Sequence, residues 1–175
     1  LETNGKKEPG AKRRIPLECF LYSVLELLAL PRYSMNMAED RLGKARMEGA
    51  YAWKTLLNSG IPMPLGSDFP VELANPFYGL HAAVTRQDRN NQPVAGWYPE
   101  QAMSIQQAFK GFTLDAAYAA HMEDSLGTLT TGKWADFILV DQDIFKVKPQ
   151  DIWKTKVVQT WIAGEKVFDA NATTN

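Results

Sequence analysis

A carboxylate placed directly after a short apolar run is the part of this chain best suited to chemistry. Ile61-Pro62-Met63-Pro64-Leu65 is bounded by Gly60 and Gly66, which predicts a brief buried strand. Gly66-Ser67-Asp68-Phe69-Pro70-Val71-Glu72 then opens it into a loop. If the strand is one stave of a parallel α/β barrel, Asp68 falls at its C-terminal end, the face on which such barrels build their active sites. An aspartate there can bind a metal ion or exchange a proton with a reacting group. The same residues also suit a turn or a helix N-cap, so the short motif by itself leaves both readings open.

The residues around it carry weaker signals. Arg86 could hold a substrate carboxylate or carbonyl through its planar fork, although an arginine in a loop more often serves as a solvated or ion-paired surface residue. Glu72 could support a metal-bound group from behind or cap the Asn75-Pro76 turn. Phe69, Phe77, Tyr78 and Trp97 could line an apolar pocket, and core packing explains aromatics equally well. His81 reads as an ordinary loop or surface residue. His121 follows Ala119-Ala120 at a helix end, where an imidazole meets the carbonyl dipoles. Glu39 and Asp40 read as a solvated pair at a helix start, and the lone cysteine, Cys19, as a buried structural thiol.

The elements that must position these residues follow from pattern. Asn36–Gly43 reads as a polar loop. Lys44–Asn58 carries Ala45, Met47, Tyr51, Ala52, Leu56 and Leu57 at helical intervals and closes at Ser59-Gly60. Glu72–Pro99 holds many prolines and glycines and reads as a long loop with one helical turn at Leu80–Val84. Pro99–Lys110 and Thr113–His121 read as helices, the second with Thr113 as N-cap and Asp115 in its first turn. Strands are expected at Ala135–Val140 and Val157–Ile162, with a hairpin turn at Ala163-Gly164-Glu165 leading to Lys166-Val167-Phe168.

Bulk properties exclude more than they identify. With 175 residues, 45% of them hydrophobic, 22% charged and a formal net charge of −1, the chain has the profile of one ordinary globular domain. No basic excess is present to displace phosphate counterions, which argues against nucleic acid as a partner. Residues 1–34 begin with Lys6, Lys7, Lys12, Arg13 and Arg14 and continue into an apolar segment at Ile15–Leu30. Glu18 and Glu26 interrupt that segment and Pro31 stops it, so a buried or interfacial helix is expected rather than a membrane span.

A set of segments in fixed order then narrows the class. The stretch Ser67-Asp68-Phe69-Pro70-Val71-Glu72, Asn75-Pro76 and Thr85-Arg86 are followed by Gly127-Thr128-Leu129-Thr130-Thr131-Gly132-Lys133-Trp134-Ala135-Asp136-Phe137-Ile138-Leu139-Val140-Asp141. This order resembles the C-terminal part of the amidohydrolase superfamily, in the branch of the N-substituted formamide deformylases, over roughly Met35 to Asp169. The resemblance implies an α/β fold: the C-terminal portion of a TIM-like (β/α)8 barrel over residues 35–126, plus the C-terminal strands of a small β-sandwich over 127–175. Residues 1–34 stay unassigned.

By the same resemblance, Asp68 is the metal-binding and catalytic acid; Arg86, Phe69 and Glu72 stand beside it as weaker substrate-binding candidates on residue type and position alone. The implied cofactor is a divalent metal, Zn²⁺, in the complete enzyme. The implied partners are a small amide substrate and the remainder of the barrel or a second subunit, in the cytoplasm and without nucleic acid or membrane. The family's other ligands, an HxH pair and further histidines, have no counterpart in this sequence. Two functions therefore compete: a C-terminal fragment of a metal-dependent carbon–nitrogen hydrolase, inactive by itself, and a non-catalytic binding or assembly module derived from one.

Overall fold

The computed structural model describes residues 32–67, 69–70 and 72–172. The helix expected at Ile15–Leu30, the Cys19 thiol and Asp68 itself lie outside the described residues.

The described residues open on a helix. α1 (Arg32–Leu42) runs through the stretch expected to be a loop. Its Met, Ala, Glu, Arg and Leu residues are good helix formers although the segment is polar. Gly43 ends it at φ 73°, with the Gly43 N–H bonded to the Glu39 carbonyl at 2.8 Å. The single helix expected over Lys44–Asn58 is broken into a 3₁₀ turn at Lys44–Gly49 and α2 (Trp53–Asn58). Tyr51 sits between them at φ 54°. Both Met47 and Trp53 enter the core, and the bend between them lets them do so.

The predicted long loop contains the central helix instead. α3 (Pro76–Thr85) starts from Asn75, whose side chain accepts from the Phe77 N–H at 2.9 Å, with Pro76 pre-set for the first helical position. It buries Phe77, Leu80, His81, Ala82 and Ala83. Arg86 closes it in the left-handed region, φ 57°, where its N–H reaches the Ala82 carbonyl at 2.9 Å. The chain then loops out and returns, the Trp97 N–H meeting the Arg86 carbonyl at 2.8 Å. Gln87 braces this loop from inside, donating to the carbonyls of Pro93 at 3.1 Å and Val94 at 2.8 Å.

The two helices expected from Pro99 onward are one interrupted rod. α4 (Ile105–Lys110) begins at a Ser104–Gln107 capping box. It runs without a break through a π turn at Gly111–Asp115 into α5 (Ala116–Ala119). Thr113 is therefore no N-cap; its hydroxyl donates back to the Phe109 carbonyl at 2.8 Å.

The last part forms a three-stranded antiparallel sheet in the order β1 (Phe137–Val140), β2 (Val157–Ile162), β3 (Glu165–Asp169). Ala163 and Gly164, both at positive φ, make the two-residue turn whose twist suits a hairpin. Phe137 stacks on its cross-strand neighbour Trp161 with centroids 5.5 Å apart. Between β1 and β2 a 3₁₀ turn at Pro149–Lys154 packs on α3, and Ile144 and Ile152 join the same core as Trp53, Met63, Leu80 and Trp97. The architecture is α/β, with the helices around one core and the sheet at its edge.

Candidate functional site

The apolar run before Asp68 is buried but does not form a strand. Met63, Pro64 and Leu65 are buried, Met63 fully. Among the described residues no strand pairs with this run. The reason lies in its composition: Pro62 and Pro64 have no N–H to give to a ladder, which leaves alternate donors only. The two inner donors are used elsewhere. The Leu65 N–H bonds to the Gly111 carbonyl at 3.1 Å and the Met63 N–H to the Asp115 carboxylate at 3.1 Å. The chain then passes through half-buried Gly66 and Ser67 toward Asp68, and Phe69 beyond it is 66% exposed.

The structure distributes the other candidates widely. Glu72 is half-buried, and burial raises its carboxyl above the ordinary range, opposed by the charge of Arg89. The Arg89 guanidinium lies 4.7 Å from the centroid of the Tyr78 ring, in the first turn of α3. Capping of the Asn75-Pro76 turn falls to Asn75 itself, so Glu72 is not needed there. Phe77 and Trp97 belong to the core rather than to an open pocket.

Arg86 is not a solvated loop arginine. It is fully buried, its Nε donates to the Trp97 carbonyl at 2.9 Å, and its guanidinium lies against Trp53 and Trp97. His81 is likewise not a surface residue: it sits inside α3, 1% exposed, with Nε2 donating to Asn91 Oδ1 at 3.0 Å. Burial lowers its pKa, opposed by the Asn91 hydrogen bond and by the charges of Asp88 and Asp151. His121 is exposed just past α5, its N–H on the Tyr118 carbonyl at 3.1 Å. Glu39 is not at a helix start; near the end of α1, it accepts from the Trp97 indole N–H at 2.8 Å.

Two residues near the site were missed by the sequence reading. The first-turn place expected for Asp115 says nothing of its partners; its carboxylate is buried, contacts Lys110 and holds Met63. Gly111 allows the close approach: a Cβ there would lie 2.4 Å from Leu65 Cγ and 2.7 Å from the Met63 carbonyl oxygen. The signal was a glycine at the junction of the two expected helices, where a missing side chain can permit close packing.

Among the described residues no group of three His, Cys, Asp or Glu side chains stands together to hold a metal. Nor, among them, is any helix long and apolar enough to cross a membrane.

Comparison with known proteins gives this arrangement its class. A family model described as "Amidohydrolase family" matches residues 22–168, a span that includes the buried run, the Asp68 loop, α3, the π turn and the sheet. The chain belongs to the amidohydrolase family. It is 34% identical over 130 residues to "Putative amidohydrolase YtcJ" of Bacillus subtilis (strain 168), covering 74% of this chain and 25% of that protein. It is 23% identical over 111 residues to "N-substituted formamide deformylase" of Arthrobacter pascens, covering 63% of this chain and 20% of that protein. A solved amidohydrolase structure from Thermotoga maritima MSB8 superposes with a TM-score of 0.48 at 22% identity, covering 79% of this chain and 34% of that one. The chain thus spans a quarter or less of the length of these two curated relatives.

Proposed function

We propose that the protein carrying this chain is a metal-dependent hydrolase of carbon–nitrogen bonds other than peptide bonds, such as amides or formamides. Asp68 is its catalytic and metal-binding acid. The observation that carries the reading is the anchorage of Met63–Leu65: a buried segment, tied on one side to Gly111 and Asp115, runs directly into the loop that begins at Gly66. A rigid element ending in an acidic loop is how a barrel enzyme presents a carboxylate to substrate. The family match spans this segment. In this proposal residues 35–126 are the last part of the barrel and 127–175 its share of a β-sandwich. The setting is cytoplasmic and the substrate a small amide.

The described residues do not make a metal site, so the divalent ion, Zn²⁺ in this reading, requires ligands beyond them. The 175 residues alone are accordingly proposed to bind zinc weakly and to hydrolyse no amide. Glu72 and Phe69, on the Asp68 loop, remain the candidates for substrate contact. Arg86, enclosed by Trp53 and Trp97, would act on substrate only through the shape of the core it supports.

The test is Asp68→Asn in the complete enzyme, assayed on N-formyl amines. The fold should survive and turnover should fall by roughly 10²–10⁴-fold, the range for general acid–base groups. Near-normal kcat would reduce the Gly66–Phe69 segment to a turn. A complete protein that retains no metal after dialysis and hydrolyses no amide would favour the non-catalytic module instead.

A further inference from the structure

We infer that Asp115 and Gly111, on the π turn between α4 and α5, are positioning residues that fix the segment running into Asp68. This inference deepens the proposed function and rests on it for its catalytic consequence.

Three contacts converge on that segment from one turn of helix. The buried Asp115 carboxylate accepts the Met63 N–H at 3.1 Å through one oxygen, while its other oxygen contacts the Lys110 ammonium. The Gly111 carbonyl accepts the Leu65 N–H at 3.1 Å. The missing side chain of Gly111 gives Leu65 and the Met63 carbonyl the space they occupy.

Both acceptors of the segment's N–H groups sit on the π turn Gly111–Asp115. An α-helical turn directs its carbonyls along the helix axis into the i+4 ladder; a π turn holds one residue more and disturbs that ladder, so that a carbonyl can serve an outside partner. Gly111 gives its carbonyl to the Leu65 N–H, and Asp115, at the end of the same turn, reaches the Met63 N–H. Because Pro62 and Pro64 carry no N–H, Met63 and Leu65 are the inner donors of the run, and both are held by this one turn. The run has no strand partner among the described residues, so side-chain and main-chain contacts from the helix do the work that a ladder would do. Asp68 follows Leu65 by three positions. A shift of the segment would carry over to the carboxylate, and a misplacement on the order of 1 Å can cost about 10²-fold in rate.

The experiment uses the complete enzyme with Asp115→Leu, Asp115→Asn and Gly111→Ala. Each is followed by kcat and KM on an N-formyl amine and by amide hydrogen exchange resolved to the peptides covering residues 61–72. Asp115→Leu removes the acceptor; it should lower kcat by roughly 10–100-fold with little change in KM and release protection in those peptides alone. Asp115→Asn keeps an acceptor oxygen for Met63 and should recover most of both. Gly111→Ala pushes on the segment from the other side and should reproduce the kcat loss with the Asp115 carboxylate intact.

An Asp115→Leu enzyme with wild-type kcat, or one whose protection is lost evenly over the whole protein together with folded yield, overturns the inference. So does a failure of Asp115→Asn to recover. If the wild-type enzyme hydrolyses no amide, the proposed function fails. The exchange data then decide the clamp separately: loss confined to residues 61–72 upholds it, and unchanged exchange in Asp115→Leu refutes it.

Discussion

The guanidinium of Arg86 lies 4.1 Å from the ring centroid of Trp53, and Trp97 approaches the same group to 5.2 Å. A buried arginine between two indoles is held by its planarity: the delocalised cation faces both π systems while Nε keeps the Trp97 carbonyl. Arg86 also accepts the Trp97 N–H through its own carbonyl. One residue thereby ends α3, closes the 86–97 loop and fills the core.

Replacing that residue should be costly. Arg86→Ala removes two ring contacts and a buried hydrogen bond, and a loss of roughly 2–4 kcal/mol is expected. Arg86→Lys keeps the charge but not the flat fork and should recover only part. Urea unfolding of the complete protein checks both; an unchanged midpoint in Arg86→Ala would show that the stack contributes nothing net.

His81 makes stability depend on pH. Burial holds its folded-state pKa below the ordinary 6.5, while the unfolded chain titrates near 6.5. The stabilisation from keeping the imidazole neutral is therefore complete above about pH 6.5, and is lost as pH falls below that value toward the folded-state pKa. Urea midpoints measured between pH 7.5 and 5.5 should fall in the wild type and fall less steeply in His81→Gln. Parallel curves would assign the acid sensitivity to other groups.

Gly79 should resist the usual benefit of alanine in a helix. It lies in α3, where Gly→Ala normally adds up to about 1 kcal/mol through helix propensity. A Cβ there would stand 2.5 Å from Phe112 Cζ on the π turn. Overpacking of this kind costs about 1–3 kcal/mol, so Gly79→Ala should be net destabilising. A raised melting temperature would mean that the Phe112 ring moves aside freely.

One face of the sheet carries a ladder of Ile138, Thr160 and Phe168 in direct register, with Ile162 beyond it. Ile138, Phe168 and Ile162 are all exposed among the described residues. Apolar sheet faces and open strand edges promote association. The isolated 175-residue chain should therefore sediment as concentration-dependent oligomers or aggregates, and the double variant Ile162→Lys, Phe168→Lys should reduce this. A compact monomer at all concentrations would refute the expectation.

The sequence by itself determined what depends on local chemistry and on ordered motifs. The hairpin was legible because β-branched residues flank Ala163-Gly164-Glu165, where Gly164 suits the positive φ of a tight turn. The family was legible because Ser67–Glu72, Asn75-Pro76, Thr85-Arg86 and the Gly127–Asp141 segment occur in order, and residues 22–168 match its model. The Asn75-Pro76 start of α3 was also written locally, but the prolines and glycines around it masked a ten-residue helix as a loop.

Tertiary structure alone decided which polar groups are buried and what they hold. Arg86, His81 and Asp115 look like surface residues by composition; each is inside because a partner distant in sequence or across a loop makes burial favourable. Asp115 reaches a main-chain donor 52 positions away, and Trp97 reaches Glu39 across 58. Periodicity reports which face of an element is apolar, but not which distant donor will come to a buried carboxylate. That pairing exists only once the chain has folded, and it separates the run before Asp68 from an ordinary strand.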